Sequence, residues 1–128
     1  MSVLTLDIVT RLHQNRSAMK LSVIIPAYNE ISTLAEVVAL VRTHAGEDAE
    51  ILIVDDGSSD GTLELIHALE AAGEVRAFYQ HENRGKGAAV RRGLLAAQGD
   101  IVLVQDADLE YDPSDYPALI EPILLGRA

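Results

Sequence analysis

The sequence contains no cysteine and no tryptophan, and its 20 acidic residues outnumber its 10 lysines and arginines. Without cysteine, the chain cannot form a disulfide scaffold, bind a metal through thiolates or use a thiolate as a nucleophile. The formal net charge of -10 disfavours nucleic acid as a partner, because binding to a phosphate backbone requires a basic surface. No apolar run approaches the roughly 20 residues that a membrane-spanning helix needs.

The first 19 residues are expected to form an extension outside the main domain. They lack the basic cluster and apolar core of a secretory signal peptide, which favours a cytoplasmic protein. Leu4, Ile8 and Leu12 are spaced as one stripe of a short amphipathic helix. A packing arm or mobile extension fits this stripe best, and an oligomer contact or a helix on a membrane surface are the alternatives.

Two apolar patterns alternate along the rest of the chain. Short β-branched runs at 21–25, 51–54, 75–79 and 101–104 predict strands that are buried on both faces. Between and after them, apolar residues recur at helical spacing within 31–44, 60–72, 87–97 and 116–125. This order predicts right-handed βαβ units, and therefore an α/β fold with a mostly parallel sheet flanked by helices.

The helical segments are expected to bury one face each. In the first segment this face has four apolar residues, Leu34, Val37, Val38 and Val41. In the third segment, similar spacing places Ala88, Arg92 and Leu95 together. These residues predict which side of each helix packs on the sheet.

Polar, acidic or glycine-rich residues follow each of the four predicted strands, at 26–30, 55–61, 80–87 and 105–110. In parallel α/β sheets, ligands bind outside the carboxyl ends of the strands. Because those ends lie along one edge of the sheet, the four segments are expected to converge there. The sequence therefore predicts one binding site built from all four.

Asp106 and Asp108 are the strongest candidates for metal ligands. They are separated by Ala107, so both carboxylates can leave the strand end on the same side and share a hard divalent cation such as Mg²⁺ or Mn²⁺. A solvated acidic loop is the alternative. The metal is favoured because residues 100–115 hold six acids and no lysine or arginine. Two unscreened carboxylates ~4 Å apart would repel by roughly 4 kcal/mol at an effective dielectric constant near 20.

The acids after the second strand have separable expected roles. Asp60 lies where it can cap the following helix, and Asp55 is expected to hold the loop. Asp56 is expected to be free to accept a hydrogen bond from a ribose hydroxyl or a base N–H, as acids after the second strand of nucleotide-binding sheets do.

Residues 84–87 form a glycine-rich basic turn at the start of a predicted helix. Such a turn exposes main-chain N–H groups to phosphate, and Lys86 adds a positive charge. The segment is not a P-loop, because both the glycine spacing and the final Lys-Ser/Thr pair are missing. Arg91 and Arg92 are interpreted as charges on the helix surface.

Four segments in this order resemble the family 2 glycosyltransferases of the GT-A fold: residues 23–30, 54–58, 83–89 and 106–113. The last two are most similar to the polyprenyl-phosphate branch, which is like the dolichol-phosphate mannosyltransferases. The resemblance covers residues 20–128. It implies that the predicted fold is the Rossmann-like, nucleotide-binding half of a GT-A domain.

The resemblance also implies roles for individual residues. Those expected to bind a nucleotide-sugar are Pro26, Ala27, Tyr28, Glu30, Val54, Asp56, Lys86, Asp106, Ala107 and Asp108. Those expected to bind Mg²⁺ or Mn²⁺ are Asp106, Asp108 and Glu110. Glu110 departs from the family, which commonly has glutamine at that position. No catalytic residue is assigned.

The implied function is metal-dependent, inverting transfer of a sugar from a UDP-sugar or GDP-mannose to a polyprenyl phosphate. This implies a protein that is cytoplasmic or peripheral at the inner face of the membrane. Because residues 20–128 match only the donor half of the family, we expect donor binding without an acceptor half, and an uncovered sheet edge that favours homo-oligomers. The alternative is a non-catalytic nucleotide-sugar-binding module. A dinucleotide-dependent oxidoreductase is excluded, because no Gly-x-Gly-x-x-Gly sequence follows the first strand.

Overall fold

The computed structural model describes residues 20–108, which form a sheet of four strands with alternating helices. The elements are β1 (Leu21–Ala27), α1 (Leu34–Ala45), β2 (Glu50–Asp55), α2 (Thr62–Ala71), β3 (Arg76–Tyr79), α3 (Lys86–Ala96) and β4 (Ile101–Val104). The strand order is β3-β2-β1-β4, and each neighbouring pair is parallel. The predicted α/β fold is confirmed. The predicted helix at 116–125 and the extension at 1–19 lie outside the described residues.

The three helices are short, and the longest of them, α1, has 12 residues. Within residues 20–108, no helix combines the length and the apolar content that crossing a membrane requires. The stability of the three short helices depends on packing against the sheet, since isolated helices of this length are marginal in water.

One face of the sheet carries the main hydrophobic core. Alternate residues of β1 and β2 pack there against α1 and α2. The predicted face of α1 is confirmed, since Leu34, Val37, Val38 and Val41 are all buried. Each such side chain contributes roughly 1.5–3 kcal/mol when it leaves water, so this layer supplies much of the driving force for folding.

The opposite face of the sheet is covered by α3, and here the predicted helix face is wrong. The buried residues of α3 are Ala89 and Gly93, whereas Leu95 is 85% exposed. A Cβ atom built on Gly93 would lie 2.7 Å from Cγ2 of Ile24, so the helix backbone rests directly on β1. The prediction failed because hydrophobic spacing gives weight to large side chains, while close packing here depends on small ones.

β1 continues beyond the predicted residue 25 to Ala27 and includes Pro26. Proline has no N–H to donate, but its fixed φ is compatible with extended backbone. Pro26 lies beside Val54 in the β1–β2 register, and the Ala27 carbonyl then accepts the Asp56 N–H at 2.9 Å. The two central strands therefore reach the edge of the sheet together.

At the opposite end of the sheet, the buried Glu50 side chain joins β2 to its neighbours. Its carboxylate accepts hydrogen bonds from the Ser22 hydroxyl at 2.7 Å and the Gln98 N–H at 2.9 Å, and it forms an ion pair with Arg76. Burial acts to raise the pKa of Glu50. The hydrogen bonds and the Arg76 charge outweigh it and hold the pKa below its usual value.

Candidate functional site

The carboxyl ends of the strands border a cavity of about 210 Å³. Its lining is Pro26, Ala27, Tyr28, Glu30, Asp56, Lys86, Asp106, Ala107 and Asp108. These residues come from all four segments that the sequence analysis placed at strand ends. Their convergence follows from the parallel sheet, in which every strand ends at the same edge.

Val54 and Glu110 stand apart from this lining. Val54 is fully buried in β2, next to Pro26 in the register, so it supports the wall of the cavity without lining it. Glu110 lies outside the described residues. The predicted roles of both residues in binding stay predictions.

The loop after β1 is tied to the loop after β2 through Asn29, which the sequence analysis did not assign. Asn29 has a φ of 52°, its side-chain oxygen accepts the Ser59 N–H at 2.8 Å, and its own N–H donates to the Ser58 hydroxyl at 2.9 Å. Asparagine tolerates left-handed backbone better than most residues do. An asparagine two residues after the end of a strand could therefore have indicated this turn.

Two predicted roles in the loop after β2 are confirmed. Asp55 accepts the N–H groups of Gly57 and Ser58, each at 3.0 Å, and so holds the loop. Asp60 lies one residue before the N-cap, Gly61, and its carboxylate accepts the Thr62 N–H at 3.0 Å, so it caps the first N–H of α2. Gly57 has a φ of 84°, and a Cβ atom there would lie 3.1 Å from the Asn83 nitrogen, so a side chain would strain both loops.

The expectation that the Asp56 carboxylate is free is wrong, because it already accepts hydrogen bonds from within the protein. Its Oδ1 accepts the Gln80 amide and the Arg84 N–H, each at 2.8 Å, and its Oδ2 accepts the Gly85 N–H at 2.9 Å. The side chain is also nearly inaccessible, with 4% of Asp56 exposed. Folding brings the loop before α3 onto this carboxylate, and no local pattern around residue 56 encodes that contact. Its predicted binding role stays a prediction.

The segment at Asp106 is anchored on both sides. The Gln105 N–H donates to the Ile24 carbonyl at 2.8 Å, and the Thr33 hydroxyl donates to the Ala107 carbonyl at 2.5 Å. Ala107 itself is buried. The main chain between the two aspartates is therefore held in place, and Thr33, which no sequence pattern singled out, contributes to holding it.

The site concentrates negative charge. Burial is the largest cause that raises the pKa of Glu30, and the nearby carboxylate of Asp108 raises it further. Asp60 and Asp106 act in the same direction, while a hydrogen bond with Thr33 opposes them. Part of this negative charge is neutralised within the protein, because Lys86 Nζ forms an ion pair with Asp106 Oδ1.

The chemistry of Asp106 and Asp108 fits a hard divalent cation. Both offer carboxylate oxygens to one cavity, and their charge disfavours ionisation of Glu30. Within residues 20–108, no group of three or more metal-ligating side chains is gathered. Mg²⁺ is commonly held by one or two carboxylates together with water and substrate phosphates, so two aspartates suffice when a phosphate completes the shell.

A larger groove of about 520 Å³ runs between α1 and α2, away from the strand ends. Its prominent charged group is Arg42, whose guanidinium already donates to the carbonyls of Gly46, Glu47, Ala49 and Glu74. That arginine serves to close the end of α1. The smaller cavity, with converging carboxylates and a lysine, is the better candidate for function.

Comparison with known proteins identifies the chain. Residues 22–128 match the model of glycosyl transferase family 2. The chain belongs to this family. It is 40% identical over 109 residues to a dolichol-phosphate mannosyltransferase of Pyrococcus furiosus, covering 84% of this chain and 31% of that protein. It is 35% identical over 118 residues to an undecaprenyl-phosphate 4-deoxy-4-formamido-L-arabinose transferase of Aeromonas hydrophila, covering 88% and 36%. The chain spans about a third of the length of these relatives.

Solved structures of glycosyltransferases share the fold, which is the GT-A fold. Glucosyl-3-phosphoglycerate synthase of Mycobacterium tuberculosis, in complex with Mn²⁺, UDP and glucosyl-3-phosphoglycerate, matches with a TM-score of 0.70 at 28% identity, covering 91% of this chain and 43% of that one. Staphylococcus aureus TarS in complex with UDP matches with a TM-score of 0.65 at 28% identity, covering 80% and 32%. The predicted resemblance to the polyprenyl-phosphate branch of the family is confirmed.

Proposed function

We propose that residues 20–128 are the donor-binding part of a glycosyltransferase that takes a sugar from a metal-bound nucleoside diphosphate. One observation carries the proposal. A single cavity joins an aromatic ring, two aspartates and a lysine drawn from separate strand ends. These are the groups that a base, a divalent cation and a diphosphate require.

Each residue has a proposed part in holding the donor. Tyr28 is 46% exposed at the cavity, so its ring offers a surface on which a base can stack. Asp56 holds the surrounding loops through both carboxylate oxygens, and its Oδ2, which accepts the Gly85 N–H, has a second lone pair for a ribose or base donor. The Lys86 ammonium binds the negatively charged diphosphate. Asp106 and Asp108 bind Mg²⁺ or Mn²⁺, with Glu110 as a further ligand.

The proposed reaction is a single displacement that inverts the anomeric carbon. An acceptor oxygen forms a bond to that carbon while the bond to the diphosphate oxygen breaks, and the electron pair leaves with the nucleoside diphosphate. A bound Mg²⁺ or Mn²⁺ supplies Lewis-acid neutralisation of this leaving group. Lys86 adds a second positive charge beside it, which lowers the cost of the developing negative charge.

We propose a polyprenyl phosphate as the acceptor, since the names of two relatives specify dolichol phosphate and undecaprenyl phosphate. A phosphate acceptor is ionised near neutral pH, so it needs no general base. Such an acceptor resides in a membrane, so the proposal places the protein at the inner membrane face. Self-association is part of the same proposal, because β4 pairs on one side only within the described residues.

The test is calorimetric titration of the protein with UDP and with GDP, with and without Mn²⁺. One of these nucleotides should bind in the presence of Mn²⁺ and more weakly in its absence, because a bare diphosphate meets like charge. Asp108→Asn should weaken the Mn²⁺-dependent affinity more than tenfold without lowering the melting temperature, since Asp108 is exposed and its charge disfavours the ionised form of Glu30. Glu64→Gln removes the same charge from the exposed surface of α2 and should change nothing.

Unchanged metal-dependent affinity in Asp108→Asn would contradict the metal assignment. The next measurement is transfer of radiolabelled sugar from UDP-sugars and GDP-mannose to polyprenyl phosphate, with the anomer of the product determined by NMR. Donor binding without hydrolysis or transfer would instead favour a nucleotide-sugar-binding module. Light scattering after size-exclusion chromatography tests self-association.

A further inference from the structure

Lys86 and Asp106 form an ion pair across the candidate site, from the first residue of α3 to the segment after β4. Both side chains line the same cavity. The aspartate is largely enclosed, with 14% of its side chain exposed, whereas 58% of the lysine side chain is exposed. The pair therefore joins a fixed carboxylate to an ammonium group with room to move.

Asp106 cannot bind this ammonium group and a divalent cation at the same time without strong repulsion between the two. Two positive charges bound at one carboxylate repel each other strongly, because their separation is only a few ångströms. The Lys86 ammonium thus occupies, at Asp106, the position that the proposed function requires for a divalent metal ion.

We propose that Lys86 is an exchangeable counter-ion, which neutralises Asp106 in the absence of metal and moves to the diphosphate when metal and nucleotide bind. This inference rests on the proposed function, because it requires a metal at Asp106. It goes further than the proposed function in two respects. In the absence of nucleotide, Lys86 opposes metal binding. In the presence of a bound diphosphate, Lys86 favours metal binding. The lysine thereby links the two ligands to each other.

The surrounding structure permits this exchange without movement of the main chain. The carboxylate of Asp56 holds the N–H groups of Arg84 and Gly85, directly before Lys86, so the start of α3 is anchored. The four-carbon stem of a lysine can then swing its ammonium between two acceptors. A diphosphate, with more negative charge than one carboxylate, provides the second acceptor.

The test measures Mn²⁺ binding by electron paramagnetic resonance, first without nucleotide and then with saturating UDP or GDP, whichever binds. Without nucleotide, Lys86→Met should bind Mn²⁺ roughly 1.5-fold to fivefold more tightly than the natural protein, the range expected for loss of one partly exposed ion pair. With nucleotide, this advantage should disappear. The nucleotide should therefore improve Mn²⁺ affinity less in Lys86→Met than in the natural protein.

Two further variants serve as controls. Arg91→Met removes the same charge from an exposed position on α3 and should leave Mn²⁺ affinity unchanged. Lys86→Arg keeps the charge and should remain close to the natural protein. Both should melt as the natural protein does, since these side chains are exposed.

The outcomes separate this inference from the proposed function. Equal or weaker Mn²⁺ binding by Lys86→Met, relative to Arg91→Met, overturns the exchange while leaving the metal site standing. Absence of any Mn²⁺ binding by the natural protein both without and with nucleotide, or equal binding by Asp108→Asn, overturns the metal site and the exchange with it. Tighter binding by Lys86→Met and Arg91→Met alike points to net charge, and also overturns the exchange.

Discussion

The carboxylate of Asp56 accepts the main-chain N–H of Gly85 at 2.9 Å, one residue before α3 begins. The same side chain also holds Gln80, directly after β3. Asp56, which directly follows β2, therefore fixes both the residue after the end of β3 and the residue before the start of α3. Because Lys86 is the first residue of α3, the position of this lysine depends on Asp56.

This relationship predicts a double effect for Asp56→Ala. Removing the carboxylate leaves the N–H groups of Arg84 and Gly85 without their acceptor, which should cost about 1–3 kcal/mol of unfolding free energy and lower the melting temperature by roughly 3–15 °C. Nucleotide affinity at saturating Mn²⁺ should fall as well, because the main chain directly before Lys86 is no longer held by the Asp56 carboxylate. Circular dichroism and calorimetry measure the two effects.

Glu64→Ala is the control for Asp56→Ala, since it removes an acid from the exposed surface of α2. It should change neither quantity. An Asp56→Ala protein that keeps full nucleotide affinity despite a lower melting temperature would assign Asp56 to the loops alone.

Glu30→Gln should raise the melting temperature at pH 7. Burial and the neighbouring carboxylates raise the pKa of Glu30 above 4.5, so its ionised form is disfavoured in the folded protein and a neutral side chain removes that cost. The gain should shrink as the pH falls through this raised pKa, because Glu30 then becomes neutral by itself. Thermal melts at pH 7 and pH 4 test the sign.

Glu30→Gln should also weaken nucleotide binding, as expected where a site tolerates unfavourable charge for function. Glu36→Gln, an exposed acid in the first turn of α1, provides the comparison and should not alter binding. A melting temperature at pH 7 equal to or below that of the natural protein would contradict the causes assigned to the raised pKa of Glu30.

Gly93→Ala should destabilise the protein even though alanine favours helices. The new methyl group would lie 2.7 Å from the Ile24 side chain, and overpacking of this kind costs about 1–3 kcal/mol, whereas the gain in helix propensity is at most about 1 kcal/mol. Gly87→Ala is the matched control on the same helix, where the nearest atom is a flexible arginine end at 3.6 Å. Urea denaturation should show a loss for residue 93 and none for residue 87.

Glu50→Gln should destabilise the protein by about 1–3 kcal/mol at pH 7, because it replaces a charged acceptor of several hydrogen bonds. The lowered pKa of Glu50 means that its stabilising effect is present above the ordinary value of 4.5 and is lost as the pH falls through the lower, folded-state pKa. The difference between variant and natural protein should therefore narrow below pH 4.5. Urea titrations at pH 7 and pH 3.5 measure it, with the exposed Glu47→Gln as control. A constant difference at both pH values would contradict the assigned cause.

The sequence alone was sufficient for the alternation of strands and helices. β-branched runs such as 51–54 and the spacing of Val37 and Val41 are local patterns, and they predict the buried strand β2 and the buried face of α1, although the same kind of pattern fails for α3. A parallel sheet then requires all its strands to end at one edge. This general rule predicts that the four strand-end segments converge, and nine of the ten residues that the family resemblance implies for nucleotide binding line one cavity, the two described metal-ligand candidates among them.

Tertiary structure alone decided how those residues are connected. The partners of Asp56 are 28 and 29 positions away at Arg84 and Gly85, and the pairing of Lys86 with Asp106 joins different elements. Likewise, α3 packs through Ala89 and Gly93, and Gly93 lies directly against Ile24 of β1. Local sequence patterns specify what each segment becomes, but hydrogen bonds, ion pairs and close packing depend on which distant atoms the folded chain places within a few ångströms.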